Sequence, residues 1–345
     1  MNNHIQHIEI SNFKSIKDLK IDGCKKINVL VGFPNAGKSN ILEALGLFGI
    51  FEFSDQKKKL SDFVRFEKLN ELFFEGNSSK LIDVKTNESY LNFSIDDKGL
   101  LNIISAEYAG EKYDFDYYIK RKLIFNENEE IENLIADRDT THNKIKKYSF
   151  KESIVNKPSE KDYIHLNYPF GKNLSQIISS KPEIRAEINR FFIQNNLKLL
   201  IEKGTNELKI FKEYQDGTVF TLPYNMIADT LQRLIFYKTA IMSNHNSVLL
   251  FEEPEAHCFE PYILEFTNEV KYNENNNQFF IVTHSDFIIQ ELLRDEESKN
   301  NTQIFLVNNV DGETKIKKLD AEKNEEVYEY GMNVFFNFEN LWENN

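Results

Sequence analysis

The 345-residue chain predicts an α/β fold, with a mixed central sheet, an antiparallel β subdomain and a helical lobe. Three observations lead there. A complete G-x-x-x-x-G-K-S run, Gly32 to Ser39, lies between an apolar strand-like run (Ile27 to Val31) and a helix-like run at 39–48. The second half alternates helix-period segments with short apolar strands, as in sheets whose strands are joined by helices. Between the two, runs of strand-forming residues are separated by polar turns, the mark of antiparallel strands.

In chain order, residues 4–10 and 19–21 read as strands that precede the Ile27 to Val31 strand. The helix after the loop carries Leu42, Leu45 and Phe48 on one stripe. Residues 81–84, 90–95, 100–106 and 113–125 read as strands of an insertion. Residues 126–156 are charged and weakly patterned, which suggests an arm or a short helical hairpin. Helices are expected at 173–178 and 181–192, and strands at 198–202, 207–211 and 218–222, with a turn at Gln215-Asp216-Gly217. The α/β rhythm follows: helix 229–242, strand 247–251, helix 260–272, strand 278–283, helix 286–294. A hairpin around Asp311-Gly312 and an aromatic tail, Val334-Phe335-Phe336-Asn337-Phe338, complete the pattern.

Composition narrows the function classes. The net charge of −13 argues against a surface built wholly for nucleic acid, although a local groove is compatible with it. The basic clusters Lys57-Lys58-Lys59 and Lys144-Ile145-Lys146-Lys147 read as solvated faces. No apolar run reaches the roughly 18 residues of a membrane span, so no membrane partner is expected. The first residues lack the regions of a signal peptide, and a cytoplasmic location is expected. Cys24 and Cys258 make neither a disulfide framework nor a metal site.

Three segments carry chemistry. Gly32 and Gly37 permit the tight wrap in which backbone N–H groups, through Asn35, Ala36 and Asn40, point at a phosphate. Lys38 reaches the β/γ oxygens, and the Ser39 hydroxyl can ligate Mg²⁺. The apolar run Val248-Leu249-Leu250-Phe251 ends in Glu252-Glu253-Pro254-Glu255, where one carboxylate can hold Mg²⁺ and the next can deprotonate a water. Phe279-Phe280-Ile281-Val282-Thr283-His284-Ser285 places an imidazole just past a core strand, within reach of a γ-phosphate. ATP and Mg²⁺ are the ligands expected.

Together with Asn12-Phe13-Lys14-Ser15, these segments resemble the ABC-type ATPase heads of the OLD/RecF/SMC group. The E-P-E-x-H and T-H-S forms are closest to the OLD-like branch of bacterial anti-phage systems. The resemblance implies a P-loop NTPase of ABC-ATPase type. It would occupy residues 1–300 as a discontinuous head: 1–50 with Walker A, 51–168 a β-rich insertion, and 169–300 a helical lobe with signature, Walker B and switch histidine. Residues 301–345 would form the C-terminal hairpin and tail.

By the same resemblance Lys38 and Ser39 are the Walker A lysine and Mg²⁺ ligand, Glu252 the Walker B acid, Glu253 the catalytic base and His284 the switch. Glu255 and His257 belong to a loop facing a second subunit. The signature is expected at Ile227-Ala228-Asp229-Thr230-Leu231-Gln232-Arg233, with Asp229 as the helix cap, the Thr230 hydroxyl in place of the usual Ser, and the Asp229 carboxylate either pointing away from the nucleotide or meeting Arg233. An ordinary capped amphipathic helix fits that stretch equally well. Two departures stand out: Glu252 replaces the usual Asp, and Ala228 and Thr230 replace the usual Ser and Gly. Gln56 and Gln176 are the candidates for the Q-loop glutamine. Tyr168-Pro169-Phe170-Gly171-Lys172-Asn173-Leu174 resembles the segment leading into the helical lobe and reads as structural.

OLD proteins carry a Toprim nuclease domain of about 100 residues or more, and the residues after His284 show no such acidic array. The expectation is a slow ATPase that pairs around ATP as at least a homodimer and controls a separate effector, a Toprim-type nuclease. Two other readings stay open. One is a nucleotide-gated scaffold that scarcely hydrolyses, favoured by the altered signature; the other is a RecF-like DNA-repair ATPase.

Overall fold

The computed structural model describes residues 4–52, 59–108, 117–126, 128–129, 131–136, 144–152, 164–193, 196–202 and 204–344. The chain divides into two compact units. The first takes Met1–Lys147, Ser247–Glu253 and Gln278–Asn345; the second takes Tyr148–Asn246 and Pro254–Asn277.

The chain opens with β1 (His7–Phe13), β2 (Ile16–Asp22), β3 (Ile27–Val31) and α1 (Lys38–Gly46). Then come β4 (Ile82–Thr86), β5 (Ser89–Ile95), β6 (Leu101–Tyr108), β7 (Tyr117–Phe125), β8 (Ile131–Ala136) and β9 (Ile145–Tyr148). The second unit holds α2 (Leu174–Ser180), α3 (Pro182–Ile193), β10 (Lys198–Ile201), β11 (Leu208–Glu213), β12 (Val219–Pro223) and α4 (Asp229–Ser243). The chain then supplies β13 (Val248–Glu252) to the first unit and α5 (Glu260–Lys271) to the second. It ends in the first with β14 (Gln278–Val282), α6 (Asp286–Leu293), α7 (Glu296–Asn301), β15 (Thr302–Val310), β16 (Glu313–Lys318), α8 (Ala321–Glu329) and α9 (Phe338–Glu343).

The central sheet runs in the order β16-β15-β3-β14-β13-β9. Strands β15, β3, β14 and β13 are mutually parallel and β16 is antiparallel, so the sheet is mixed. Every residue of β3 and β14 is buried, which explains their near-continuous apolar sequences. The polar exception in β3, Asn28, is fully satisfied: it accepts from Lys25 N and donates to the carbonyls of Lys25 and Phe279. Parallel strands align their carboxyl ends, so the loops after β3, β13 and β14 open on one edge of the sheet. That edge is where ligands bind in parallel α/β sheets.

A second, seven-stranded antiparallel sheet runs β2-β1-β4-β5-β6-β7-β8, so the N-terminal strands pair with the insertion. The small sheet β10-β11-β12 belongs to the second unit. Among the described residues, no helix is long and apolar enough to cross a membrane.

Several expectations need correction. The reading of 126–156 as an arm or helical hairpin is overturned by β8 and β9, although 137–143 and 153–156 lie outside the described residues. The cluster at 144–147 is not a solvated face: β9 is buried throughout, with Lys146 and Lys147 5% and 6% exposed. Lys57, Lys58 and Gln56 lie outside the described residues. The helix after the phosphate loop stops at Gly46 and continues as a 3₁₀ turn over Leu47–Glu52. Glycine weakens a helix at that point, and the absent side chain also leaves room for Lys147, whose Cβ would lie 3.1 Å from a Cβ on Gly46.

Candidate functional site

The phosphate loop is held from below by the C-terminal hairpin. A Cβ on Gly32 would overlap the Val307 carbonyl of β15, and one on Gly37 would overlap the Thr314 hydroxyl of β16. Gly37 also has φ 97°, a backbone region that L side chains rarely adopt, and Asn35 sits at φ 62°. Ala36 is buried and its N–H returns to the Phe33 carbonyl at 3.3 Å. Asn40 donates to the Ser15 hydroxyl at 2.7 Å, and that hydroxyl bonds Thr314 Oγ1 at 2.7 Å. The Asn12 to Ser15 segment thus ties α1 to the hairpin. No side chain caps the start of α1, so its first N–H groups remain available to an anion.

Lys38 lies across this loop, donating 2.8 Å hydrogen bonds to the carbonyls of Gly32 and Phe33. Burial pulls its ammonium down to about 8, against the opposing pull of Glu253 and Glu252. The Ser39 hydroxyl faces the Glu252 carboxylate at the end of β13 and favours its ionised form. Burial works to raise Glu252, but Lys147, the Ser39 hydroxyl and Arg65 outweigh it and hold the carboxylate below its ordinary value.

Glu253 leaves the strand at φ 46°, a strained region for a non-glycine residue, while its N–H still bonds the Val282 carbonyl at 2.8 Å. Its Oε1 lies 3.5 Å from His284 Nε2. Burial and the Lys38 ammonium hold His284 below its ordinary value despite Glu253, so the ring is neutral at neutral pH. The carboxyl ends of β3, β13 and β14 therefore bring a lysine, a hydroxyl, two carboxylates and a neutral imidazole to one place.

With this geometry in view, comparison with known proteins is decisive at the family level. Residues 27–290 match the AAA_21 family, described as AAA domain, putative AbiEii toxin, Type IV TA system. The chain belongs to the AAA_21 family. It is 24% identical to an ATP/GTP phosphatase of Helicobacter pylori, over 97% of this chain and 98% of that one. A shorter stretch, 19% of this chain and 18% of the relative, is 32% identical to the DNA replication and repair protein RecF of Caldanaerobacter subterraneus subsp. tengcongensis. An SMC head solved bound to the C-winged helix domain of ScpA shares the fold, with a TM-score of 0.53 and 16% identity over 94% of this chain and 99% of that one. This AAA_21 protein is a P-loop ATPase whose fold is that of the SMC heads.

Sequence reasoning missed the charges that surround Glu252. Arg65 Nη2 lies 3.2 Å from Glu252 Oε1, and Lys147 Nζ 3.0 Å from Oε2. Arg65 Nε donates at 2.7 Å to Glu43, whose fully buried carboxylate also pairs with Lys14. Lys14 sits in the Asn12 to Ser15 segment, whereas no motif marks Arg65. Nothing in the local pattern around Glu43 or Lys147 joins them to Glu252.

Asp229, Thr230 and Arg233 belong to the second unit, not to this cluster. Asp229 does not cap α4: Ala228 holds that position without a side-chain bond, and Asp229 is the first helical residue. Its Oδ2 accepts from Arg233 Nε at 2.8 Å, and the Arg233 guanidinium lies 4.7 Å from the centre of the Phe150 ring. Thr230 follows in the first turn, half-buried. Gln176 is buried on α2. In the Tyr168 to Leu174 segment, Asn173 accepts from Asn167 N and donates to the His165 carbonyl, a structural clasp.

Proposed function

We infer that this ATPase hydrolyses Mg·ATP slowly at the edge formed by β3, β13 and β14, and uses the cycle to control a separate effector. The observation that carries this reading is the convergence of Lys38, Ser39, Glu252, Glu253 and His284 at one edge of the sheet, with His284 Nε2 3.5 Å from Glu253 Oε1. A hydroxyl and a carboxylate oxygen suit a hard cation, and Ser39 and Glu252 would hold Mg²⁺. When bound, Mg²⁺ would neutralise charge on the β- and γ-phosphate oxygens. The extra methylene of Glu252 relative to Asp is accommodated by Lys147 and Arg65, which fix both of its oxygens.

In this reading the amides after Gly32 and at the start of α1 cradle the phosphates, and the Lys38 ammonium exchanges its carbonyl partners for phosphate oxygens. Glu253 takes the proton of a water attacking the γ-phosphorus; the bond from that phosphorus to the β–γ bridging oxygen breaks, and ADP and phosphate leave. Neutral His284 donates to a γ-phosphate oxygen and stays within 3.5 Å of Glu253. The N-terminus of α4, with Asp229, Thr230 and Arg233, faces the nucleotide of a second copy in a head-to-tail dimer.

The E-P-E-x-H and T-H-S forms support placing the protein in the cytoplasm as the ATPase half of an anti-phage defence pair, with a Toprim-type nuclease as its effector. A toxin–antitoxin role named in the family description is compatible with the same chemistry. The test is Glu253→Gln. Loss of a general base costs about 10²–10⁴-fold in turnover, so the variant should retain ATP and stabilise the dimer by sedimentation; wild-type turnover in the variant would remove Glu253 from its role.

A further inference from the structure

The aromatic tail, which the ATPase chemistry does not use, touches the site at two separate points. Phe338 of α9 meets the phosphate-loop residue Phe33 edge-to-face, with ring centroids 5.0 Å apart. Three residues earlier, Phe335 stacks on the His284 imidazole at 6.1 Å. The segment is anchored: Val334 N donates to Asp286 Oδ1 at 3.3 Å, and Gln290 donates to the carbonyl of Met332, the residue before the segment, at 3.5 Å. Val334, Phe338 and Leu341 are buried, whereas Phe336 stands 91% exposed between the two contacts.

One contact lies directly on the path of nucleotide binding. Lys38 spends two hydrogen bonds on the carbonyls of Gly32 and Phe33. Phosphate oxygens compete for that ammonium, and a carbonyl that loses a charged donor must find another partner or turn. The residue whose carbonyl is released is the one whose ring touches α9. His284, which donates to a γ-phosphate oxygen in the proposed mechanism, rests on the same segment through Phe335.

We propose that residues 333–343 are the output element of the nucleotide site: Phe338 and Phe335 position Phe33 and His284, and nucleotide binding is transmitted through them to α9 and the exposed Phe336. This rests on the reading of Gly32 to Ser39 as the nucleotide site. Coupling of this kind is reciprocal, so a change in α9 must alter ATP affinity by the same factor that ATP alters α9.

The chain carries its own probe. Trp342 is its one tryptophan, stacked on Phe338 at 6.2 Å and with Lys317 Nζ 5.0 Å from its ring centre. Titration of the full chain with ATP should shift Trp342 emission with the same midpoint as ATP binding measured by equilibrium dialysis. In Phe338→Leu and Phe335→Leu, which keep an apolar side chain but remove the ring, the emission response should shrink and ATP affinity should move by about fivefold or more, the lower end of ordinary coupling. Binding without an emission change in the wild type, or unaltered affinity and response in both variants, would overturn the inference and leave the nucleotide site standing. Absence of ATP binding by dialysis would overturn the nucleotide reading itself.

Discussion

Two places in this chain carry residues that the proposed nucleotide chemistry uses, and they are stabilised in opposite ways. At the edge of the central sheet the carboxylates are held by groups remote in sequence: Ser39, Arg65 and Lys147 converge on Glu252, and Lys14 and Arg65 on Glu43. At the start of α4, Asp229 and Arg233 hold each other one helical turn apart. Cooperative clusters drawn from distant segments exist only once the sheet has formed, and they hold their members against competing geometries. A local pair persists wherever its own helix persists. The contrast marks the sheet edge as the preorganised site and the α4 start as a self-neutralised surface.

The largest expected break at the sheet edge is Lys38→Met. A charge-assisted hydrogen bond is worth about 1.5–3 kcal/mol, so ATP affinity by calorimetry should fall about ten- to a hundredfold. An unchanged affinity would detach Lys38 from the phosphates. Next in size is the effect of pH. Lys38 sits at about 8 in the free protein, and phosphates that favour its ammonium must raise that value on binding. Above about 8 the complex therefore holds more protons than the free protein, so affinity should weaken with rising pH by up to about tenfold per unit and be level below. In Lys38→Met the slope should vanish.

The smallest effect belongs to α4. Asp229→Ala removes an i,i+4 pair worth about 0.3–0.5 kcal/mol and a favourable helix-dipole charge worth about 0.3–1 kcal/mol. The urea midpoint should shift only slightly. A large drop would mean that Asp229 serves more than its own helix and would erase the contrast.

Much of the sheet edge was legible because its signals are contiguous. Strand β3 reads to the residue as Ile27–Val31 because four of its five residues are apolar and it ends in a glycine-bounded loop. Glu252, Glu253 and His284 follow runs of the same kind. Strand β9 was hidden because two of its four residues are lysines, and a buried lysine makes sense only beside the Glu252 carboxylate that Lys147 meets. Arg65 was equally silent, since it follows a 3₁₀ turn with no periodic pattern. The tail showed its aromatics but not their targets, Phe33 and His284, which the parallel register of β3, β14 and β15 brings beside it. Asp229 was expected to cap α4, yet the helix begins one residue earlier than a capping role requires, and its carboxylate turns to Arg233 instead.

The most direct probe of convergence on one triphosphate is a double-mutant cycle on Mg·ATP affinity with Ser39→Ala, Glu252→Gln and the pair. If the two side chains serve one bound Mg·ATP, the double variant should lose little more than the worse single variant, a coupling of about 1 kcal/mol or more. Losses that add within about 0.5 kcal/mol would show two independent sites and contradict the account.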